Sequence, residues 1–204
     1  MIKTIETKRL ILRPWEEGDA GELLQYAKNP NVGPNAGWKP HENLEESLMI
    51  IKELFIPNNV WAIIQKDQVG IVGSIGKDQV GIVGSIGKDQ VGIVGSIGYE
   101  DDLRRQNSNS REMGYSLREE SWGQGIMTEA GKAVIEYGFR KLGLDMISIQ
   151  TSPNNLRSQG VIRNCGFTYE GTLRKSYLIY DGSYRDSQIY SLLKEEWEAG
   201  QSPT

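Results

Sequence analysis

Apolar residues recur along this chain with two periods, and the changes between them mark out its elements. Over residues 43–55, Leu44, Leu48, Ile51 and the pair Leu54 and Phe55 fall on one helical face. Ala130, Ala133, Val134, Tyr137 and Leu142 form a second helical stripe, which stops at Gly143, where glycine commonly ends a helix. Short apolar runs at 9–13 and 146–151 predict strands. Helices are expected over 19–28 and over 155–165, the latter closing at Gly166. Residues 29–41, rich in Pro, Gly and Asn, read as a loop, and the polar stretch 101–110 as turns. Alternation in 112–117 places Glu112, Gly114 and Ser116 on one strand face and Met113, Tyr115 and Leu117 on the other. Segments 168–179 and 184–193 flank Tyr180, Asp181 and Gly182, which predicts a hairpin. Strands alternating with helices, then a hairpin, give an α/β sandwich around a mixed sheet.

One stretch breaks the pattern. Residues 66–76 read Lys-Asp-Gln-Val-Gly-Ile-Val-Gly-Ser-Ile-Gly, and the same eleven residues recur unchanged at 77–87 and 88–98. The unit is too short and too uniform for a solenoid. Each copy reads as a turn followed by a glycine-diluted Val/Ile strand. Without two of the units the chain would have 182 residues, 204 less 22. The expectation is an extra β insert, either a protruding hairpin or an addition at a sheet edge. Two added strands restore the direction of the chain, so the next segment still enters the sheet correctly. Identical copies make the register degenerate, and weak free edges invite association between chains. A recent duplication, an engineered insertion or an error in the sequence explains the repeat more simply than a function does.

Composition narrows the classes without choosing among them. A chain of 204 residues with 38% hydrophobic and 25% charged residues suits one soluble domain over 1–204 with a sizeable core, with 199–204 as a loose tail. A net charge of −4 argues against nucleic acid as the main partner. The single cysteine, Cys165, allows no internal disulfide and fits a reducing compartment. With one Cys and one His, no transition-metal site is expected. Residues 1–15 lack the apolar core of a signal peptide, and no run approaches a membrane span. These features predict a cytoplasmic protein.

The chemistry centres on Trp122-Gly123-Gln124-Gly125-Ile126-Met127-Thr128-Glu129-Ala130, between the strand 112–117 and the second helical stripe. Strand, glycine turn and helix start together form an anion cradle. Glycines admit close backbone approach, and the helix start presents free N–H groups. The Lys-Ser/Thr ending of a triphosphate loop and the spacing of a dinucleotide fingerprint are both missing. Further along stand Thr7–Trp15, Gly18-Asp19-Ala20, Asn155 and Ser158, Cys165-Gly166-Phe167, and 181–186.

In order and spacing these segments resemble the GCN5-related N-acetyltransferases (GNAT), closest to the RimJ/RimL-like branch. The resemblance implies a mixed, mostly antiparallel sheet splayed between native strands 4 and 5, with helices on both faces and acetyl-CoA in the gap. The repeat would then fall in the family's β2–β3 region. Backbone amides of Gly123, Gln124, Gly125, Ile126, Met127 and Thr128 would hold the pyrophosphate, and the Gln124 side chain would reach a phosphate oxygen. The family prefers Gly or Ala where Met127 stands. Tyr115 and Leu117 would offer backbone groups to the acetyl carbonyl and pantetheine arm, as the bulged strand does in this family. Trp122 is expected to pack beneath the loop.

Acetyl transfer needs a neutral amine, a donor for the oxyanion and stabilisation of the leaving thiolate. Glu112 stands where RimL-type enzymes are proposed to keep their base, and a strand glutamate between apolar neighbours would have a raised pKa. The plainer alternative is a surface residue or an ion pair with Arg111 or Arg118. Many family members carry a tyrosine five residues before the Phe of the Gly-Phe pair; that position is Ile162, which excludes that mechanism there. The Asn155 and Ser158 spacing resembles the RimL-type arrangement with serine as thiolate partner. Asn155 would bind the pantetheine amide, or cap the helix, or both. Cys165 reads as a packed thiol, and His41 as a surface residue that would otherwise border the acceptor.

The resemblance therefore implies an acetyl-CoA-dependent enzyme with no metal, acting on a protein N-terminal α-amine in a ternary complex. The acceptor site would come from 30–43, 101–110 and the hairpin tip at 180–184. Two alternatives stand beside it. One is an enzyme for small amines, hinted at by Glu100, Asp101 and Asp102; the other is an acyl-CoA-binding protein without catalysis. Either a monomer or a homodimer fits, with association through the repeat a further option.

Overall fold

In a computed structural model the described residues are 2–66 and 92–201. They form eight strands and six α-helices. In chain order these are β1 (Ile5–Glu6), β2 (Leu10–Pro14), α1 (Ala20–Ala27), α2 (Gly33–Ala36), α3 (Leu44–Ile50), β3 (Trp61–Gln65), β4 (Ile93–Asp101) and β5 (Ser110–Leu117). There follow α4 (Ile126–Tyr137), β6 (Met146–Thr151), α5 (Leu156–Asn164), β7 (Thr168–Leu178), β8 (Tyr184–Leu193) and α6 (Lys194–Ala199). The sheet order is β1-β2-β3-β4-β5-β6-β8-β7, antiparallel throughout except for the parallel pair β5–β6.

Strand periodicity separates two cores. Trp61 and Ile63 of β3 point into a cluster with Ala130, Val134 and Ile135 of α4 and Ile162 of α5. Their neighbours Ala62 and Ile64 point the other way, toward Leu23 and Ala27 of α1 and Ile51 after α3. A strand buried on both faces reads as a continuous apolar run, which explains why Trp61–Gln65 has no polar alternation.

The β5–β6 pair creates the opening that matters. Its register runs Ser110↔Met146, Arg111↔Ile147, Glu112↔Ser148 and then ends. Beyond Glu112 the two strands diverge, so β5 keeps its pairing with β4 through Leu117 while its other edge is bare. This is the splay implied between native strands 4 and 5. It arises without a bulge in β5, whose pairing with β4 is continuous from Gly95↔Leu117 to Asp101↔Arg111. On the other side of β4 the pairing with β3 does shift register, running Ile63↔Gly95 and then Ile64↔Ile93.

Both helical stripes run further in the sequence than the face they describe. Residues 51–55 and 138–142 are π-helical turns. A wider turn rotates the side chains that follow it, and Leu54 and Leu142 are exposed rather than packed. Leu44, at the first helical position of α3, is also exposed. The loop expected at 29–41 contains the short α2, and the chain ends in α6, which the apolar pattern had not marked. Its Trp197 packs on Phe139 at 5.4 Å.

Residues 93–98 of the third repeat unit lie in β4, antiparallel to β3, the direction a single turn would have given. The expected extra hairpin, and any association through it, fall on 67–91, outside the described residues, as do 202–204 of the expected tail. Among the described residues no helix is long and apolar enough to cross a membrane.

Candidate active site

The glycine turn has the geometry that an anion cradle needs. Gly123 (φ 74°) and Gly125 (φ 73°) both lie in the left-handed region, which side chains with a Cβ rarely adopt. Gly125 is the N-cap of α4, and the backbone N–H groups of Ile126, Met127 and Thr128 donate to no group among the described residues. The turn is braced from the chain start. Glu129 accepts bonds from Thr7 Oγ1 (2.6 Å), Arg9 N (2.9 Å) and Arg9 Nε (2.6 Å). Arg9 Nη1 in turn donates to Gln124 O at 2.9 Å. The Gln124 side chain is engaged inside the turn, its Nε2 donating to Glu120 O at 2.7 Å. Trp122 lies beneath the loop, with Nε1 donating to Leu117 O (2.8 Å) and Arg157 4.8 Å above its ring.

From this turn a cavity of about 470 Å³ follows the splay along β5 to Glu112. Volumes of this order hold drug-sized ligands. Bare β5 backbone, an anion cradle at one end and carboxylates at the other suit an elongated acyl thioester with a charged tail, and the residues present fit acetyl-CoA. Across the gap stands α5. Asn155 Oδ1 accepts from Ser158 N at 3.1 Å and so caps the helix, while both residues line the cavity. Ser158 Oγ lies 2.8 Å from the hydroxyl of Tyr115. Sequence reasoning gave Tyr115 a backbone role only; its side chain is the addition, found by looking across the splay rather than along the strand.

Glu112 is 5% exposed, and burial raises its carboxyl above the usual range, with the nearby Arg104 working in the opposite direction. Its ion-pair partner is Arg104, not Arg111 or Arg118, which pair with Asp101 (3.6 Å) and Glu22 (3.9 Å). Glu100 lies opposite Glu112 in the β4–β5 register and lines the same cavity. Of the other acidic residues singled out near it, Asp102 is structural: its fully buried carboxylate accepts from Ser148 Oγ (2.5 Å) and Arg105 Nη1 (2.9 Å). Asp101 does not line the cavity.

The cavity end around Glu112 differs in its margins from the lining expected of an acceptor site. Val32, Asn35 and Ala36 line it, as the 30–43 loop predicts. The hairpin contributes Tyr177 and Arg185, at the base of the tip rather than in 180–184, and 101–110 contributes only the support of Arg104. Arg185 stacks on Tyr177 at 4.4 Å and donates to Asn35 O at 3.2 Å, tying the hairpin to α2. His41 is not on the surface, and it does not line the cavity. It is 9% exposed, packs on Trp38 at 5.2 Å, and its Nδ1 lies 2.8 Å from Ser47 Oγ. Cys165 is buried, with its thiol pushed up to about 11 by burial, and Sγ lies 3.8 Å from Thr128 O. It is the packed thiol the sequence predicts.

Comparison with known proteins agrees with this arrangement. The family model for an acetyltransferase (GNAT) domain matches residues 9–168. The uncharacterised N-acetyltransferase p20 of Bacillus licheniformis is 28% identical over 201 residues, covering 96% of this chain and 99% of its own. The ribosomal protein uS5-alanine N-acetyltransferase of Escherichia coli is 35% identical over 88 residues, 43% of this chain and 45% of its own. Among solved structures, a GNAT-family acetyltransferase from Bacillus anthracis superimposes with a TM-score of 0.74 at 19% identity, over 95% of this chain and 99% of that one. With the family model over most of its length, the chain belongs to the GNAT family of acetyl-CoA-dependent N-acetyltransferases.

Proposed function

We propose that the acceptor is the α-amine of a protein or peptide N-terminus, and that it attacks acetyl-CoA directly while both are bound. The observation that carries this reading is a single continuous cavity that joins the glycine turn, the bare edge of β5, Ser158 and Glu112. Nothing in that path requires a covalent acyl-enzyme, and the one thiol near it is buried with a raised pKa.

Each group has a part set by its surroundings. The N–H groups at the start of α4 hold the pyrophosphate, and the bare backbone of Tyr115 and Leu117 receives the acetyl carbonyl and the pantetheine arm. Asn155, its Oδ1 capping α5, offers its amide to the same arm. Glu112 and Glu100, opposed in the sheet, form the carboxylate pair that receives the ammonium and takes its proton. An α-amine titrates at roughly 7.7–8, so only a modest proton transfer is needed. Ser158, bonded to Tyr115, donates to the leaving thiolate.

A small, highly cationic amine such as a polyamine has less support. Of the three acidic residues that favoured it, only Glu100 faces the cavity. The ribosomal protein uS5-alanine N-acetyltransferase among the relatives supports a protein acceptor.

Acetyl-CoA-dependent thiol release across free-N-terminus peptides and small amines tests the reading, with Glu112→Gln alongside. Release with peptides, reduced about 10²-fold or more in the variant, is expected. Release with small amines alone would replace the acceptor class. Saturable acetyl-CoA binding without release would remove the catalytic reading.

A further inference from the structure

Glu100 on β4 and Glu112 on β5 are directly opposed in an antiparallel pair, so their side chains leave the sheet on the same face. Two carboxylates so placed repel one another unless something compensates. For Glu112 the compensation is present, because Arg104 is bonded to it. For Glu100 it is absent: among the described residues no hydrogen bond or ion pair engages its carboxylate, and Arg104 acts on it only at longer range. The two also differ in access. Glu112 is 5% exposed, whereas Glu100 stands open to the cavity. Gly114 faces the same space, where a Cβ would stand 4.0 Å from Glu100 Oε1. The free carboxylate thus overhangs the bare β5 backbone on which the acetyl carbonyl is expected to rest.

Resting on the reading above, we propose that Glu100 is a catalytic residue of this enzyme, the carboxylate that takes the proton from the acceptor's ammonium group. Glu112, bonded to Arg104, holds that ammonium in place. The proton passes from R–NH3+ to Glu100, which becomes a carboxylic acid. The freed lone pair forms the new N–C bond at the acetyl carbon, the C–S bond breaks, and the sulfur leaves with its electron pair. A second proton from the attacking nitrogen reaches the sulfur through the Ser158 hydroxyl, giving the amide and free CoA thiol, and Glu100 returns its proton to water. A tied carboxylate makes a poor proton acceptor; a free one beside a desolvating wall makes a better one.

The surroundings set the direction of its titration. Burial against the cavity wall raises the carboxyl of Glu100, and Arg104 opposes that rise. The other charged or titratable groups facing this corner are Glu112 on β5, Asp102 and Arg105 in the following turn, and Tyr177 and Arg185 on the hairpin; Tyr177 feels both glutamates and Arg185. Activity therefore rises with pH as Glu100 loses its proton.

The test is the pH profile of kcat/KM between about pH 5 and 9, a quantity that reports groups of the free enzyme. It is measured with one peptide and one small amine for wild type, Glu100→Gln, Glu100→Asp and Glu112→Gln, with the Kd of acetyl-CoA for each. Glu100→Gln should lose the acidic limb and fall about 10²-fold, with Glu100→Asp recovering part and acetyl-CoA affinity unchanged. Glu112→Gln should keep an acidic limb, moved to lower pH because Arg104 then turns to Glu100. An intact limb in Glu100→Gln, or a limb lost only in Glu112→Gln, would overturn the assignment. If only the small amine turns over, the peptide reading fails, and Glu100 is still judged on the profile with that amine.

Discussion

The hydroxyl of Tyr115 lies 2.8 Å from Ser158 Oγ, joining the two sides of the splay where the thioester sulfur is expected. Burial raises the phenol well above its ordinary pKa, so Tyr115 stays protonated and serves as a donor. With the phenol donating to Ser158 Oγ, the serine keeps its own hydrogen to point at the sulfur. Removing that bond by Tyr115→Phe should lower kcat about tenfold, what about 1.4 kcal/mol is worth, with the Kd of acetyl-CoA unchanged. A kcat equal to wild type in single-turnover kinetics would remove Tyr115 from the mechanism.

The cradle makes a conformational prediction rather than a steric one. Gly125 has φ 73°, and a Cβ built on it would meet only Arg9 Nη2, at an ordinary 3.5 Å. Gly125→Ala therefore costs about 1–2 kcal/mol through the left-handed backbone alone. Relief of that strain would turn the α4 N–H groups away from the anion, so acetyl-CoA affinity should fall along with Tm. Gly18→Ala is the control, because Gly18 has neither a positive φ nor an atom within 4 Å of its Cβ. Calorimetric titration of both variants decides the matter, and equal affinities would mean that the turn does not hold the pyrophosphate in this geometry.

The turn and the strands were legible because their signals are local. Glycine at a left-handed position, an apolar run and a capping Asn155 each follow from neighbouring residues. Met146–Thr151 matches its prediction at both ends. What escaped depends on contacts distant in sequence. Arg104 reaches Glu112 because β4 and β5 fold back on each other, whereas sequence proximity favoured Arg111 and Arg118. His41 looks solvated in a Pro- and Gly-rich loop, yet its backbone N–H bonds Ala27 O at 3.1 Å and Trp38 covers its ring. The π turns after α3 and α4 were also invisible to a period of 3.6, and so the outer members of both stripes were misplaced.

Burial of His41 carries a pH dependence with a definite sign. Burial lowers its pKa in the folded protein, Glu46 opposing, so the unfolded chain binds the proton more readily. Stability is complete above the ordinary histidine pKa of about 6.5 and declines as the pH falls below it, by at most about 1.4 kcal/mol per pH unit. Thermal unfolding from about pH 7.5 to 5.5 should show a Tm that drops more steeply in wild type than in His41→Gln. Parallel curves would show that the imidazole is protonated alike in both states.

The repeat offers the last prediction. The register pairs Ile64 with Ile93, which leaves residues 65–92 to close the β3–β4 connection, 28 residues. Deleting 77–98 places Ile71 where Ile93 stands and supplies the same Ile-Val-Gly-Ser-Ile-Gly to β4, now closed by 65–70, six residues. The shorter loop saves about 1.4 kcal/mol of closure entropy, and only one copy remains to fill the strand. Since β4 carries Glu100 and pairs with β5, which lines the cavity, both Tm and acetyl-CoA affinity should rise, Tm by about 2–5 °C. If neither rises, the extra units are neutral to the sheet, and register degeneracy imposes no measurable cost on this fold.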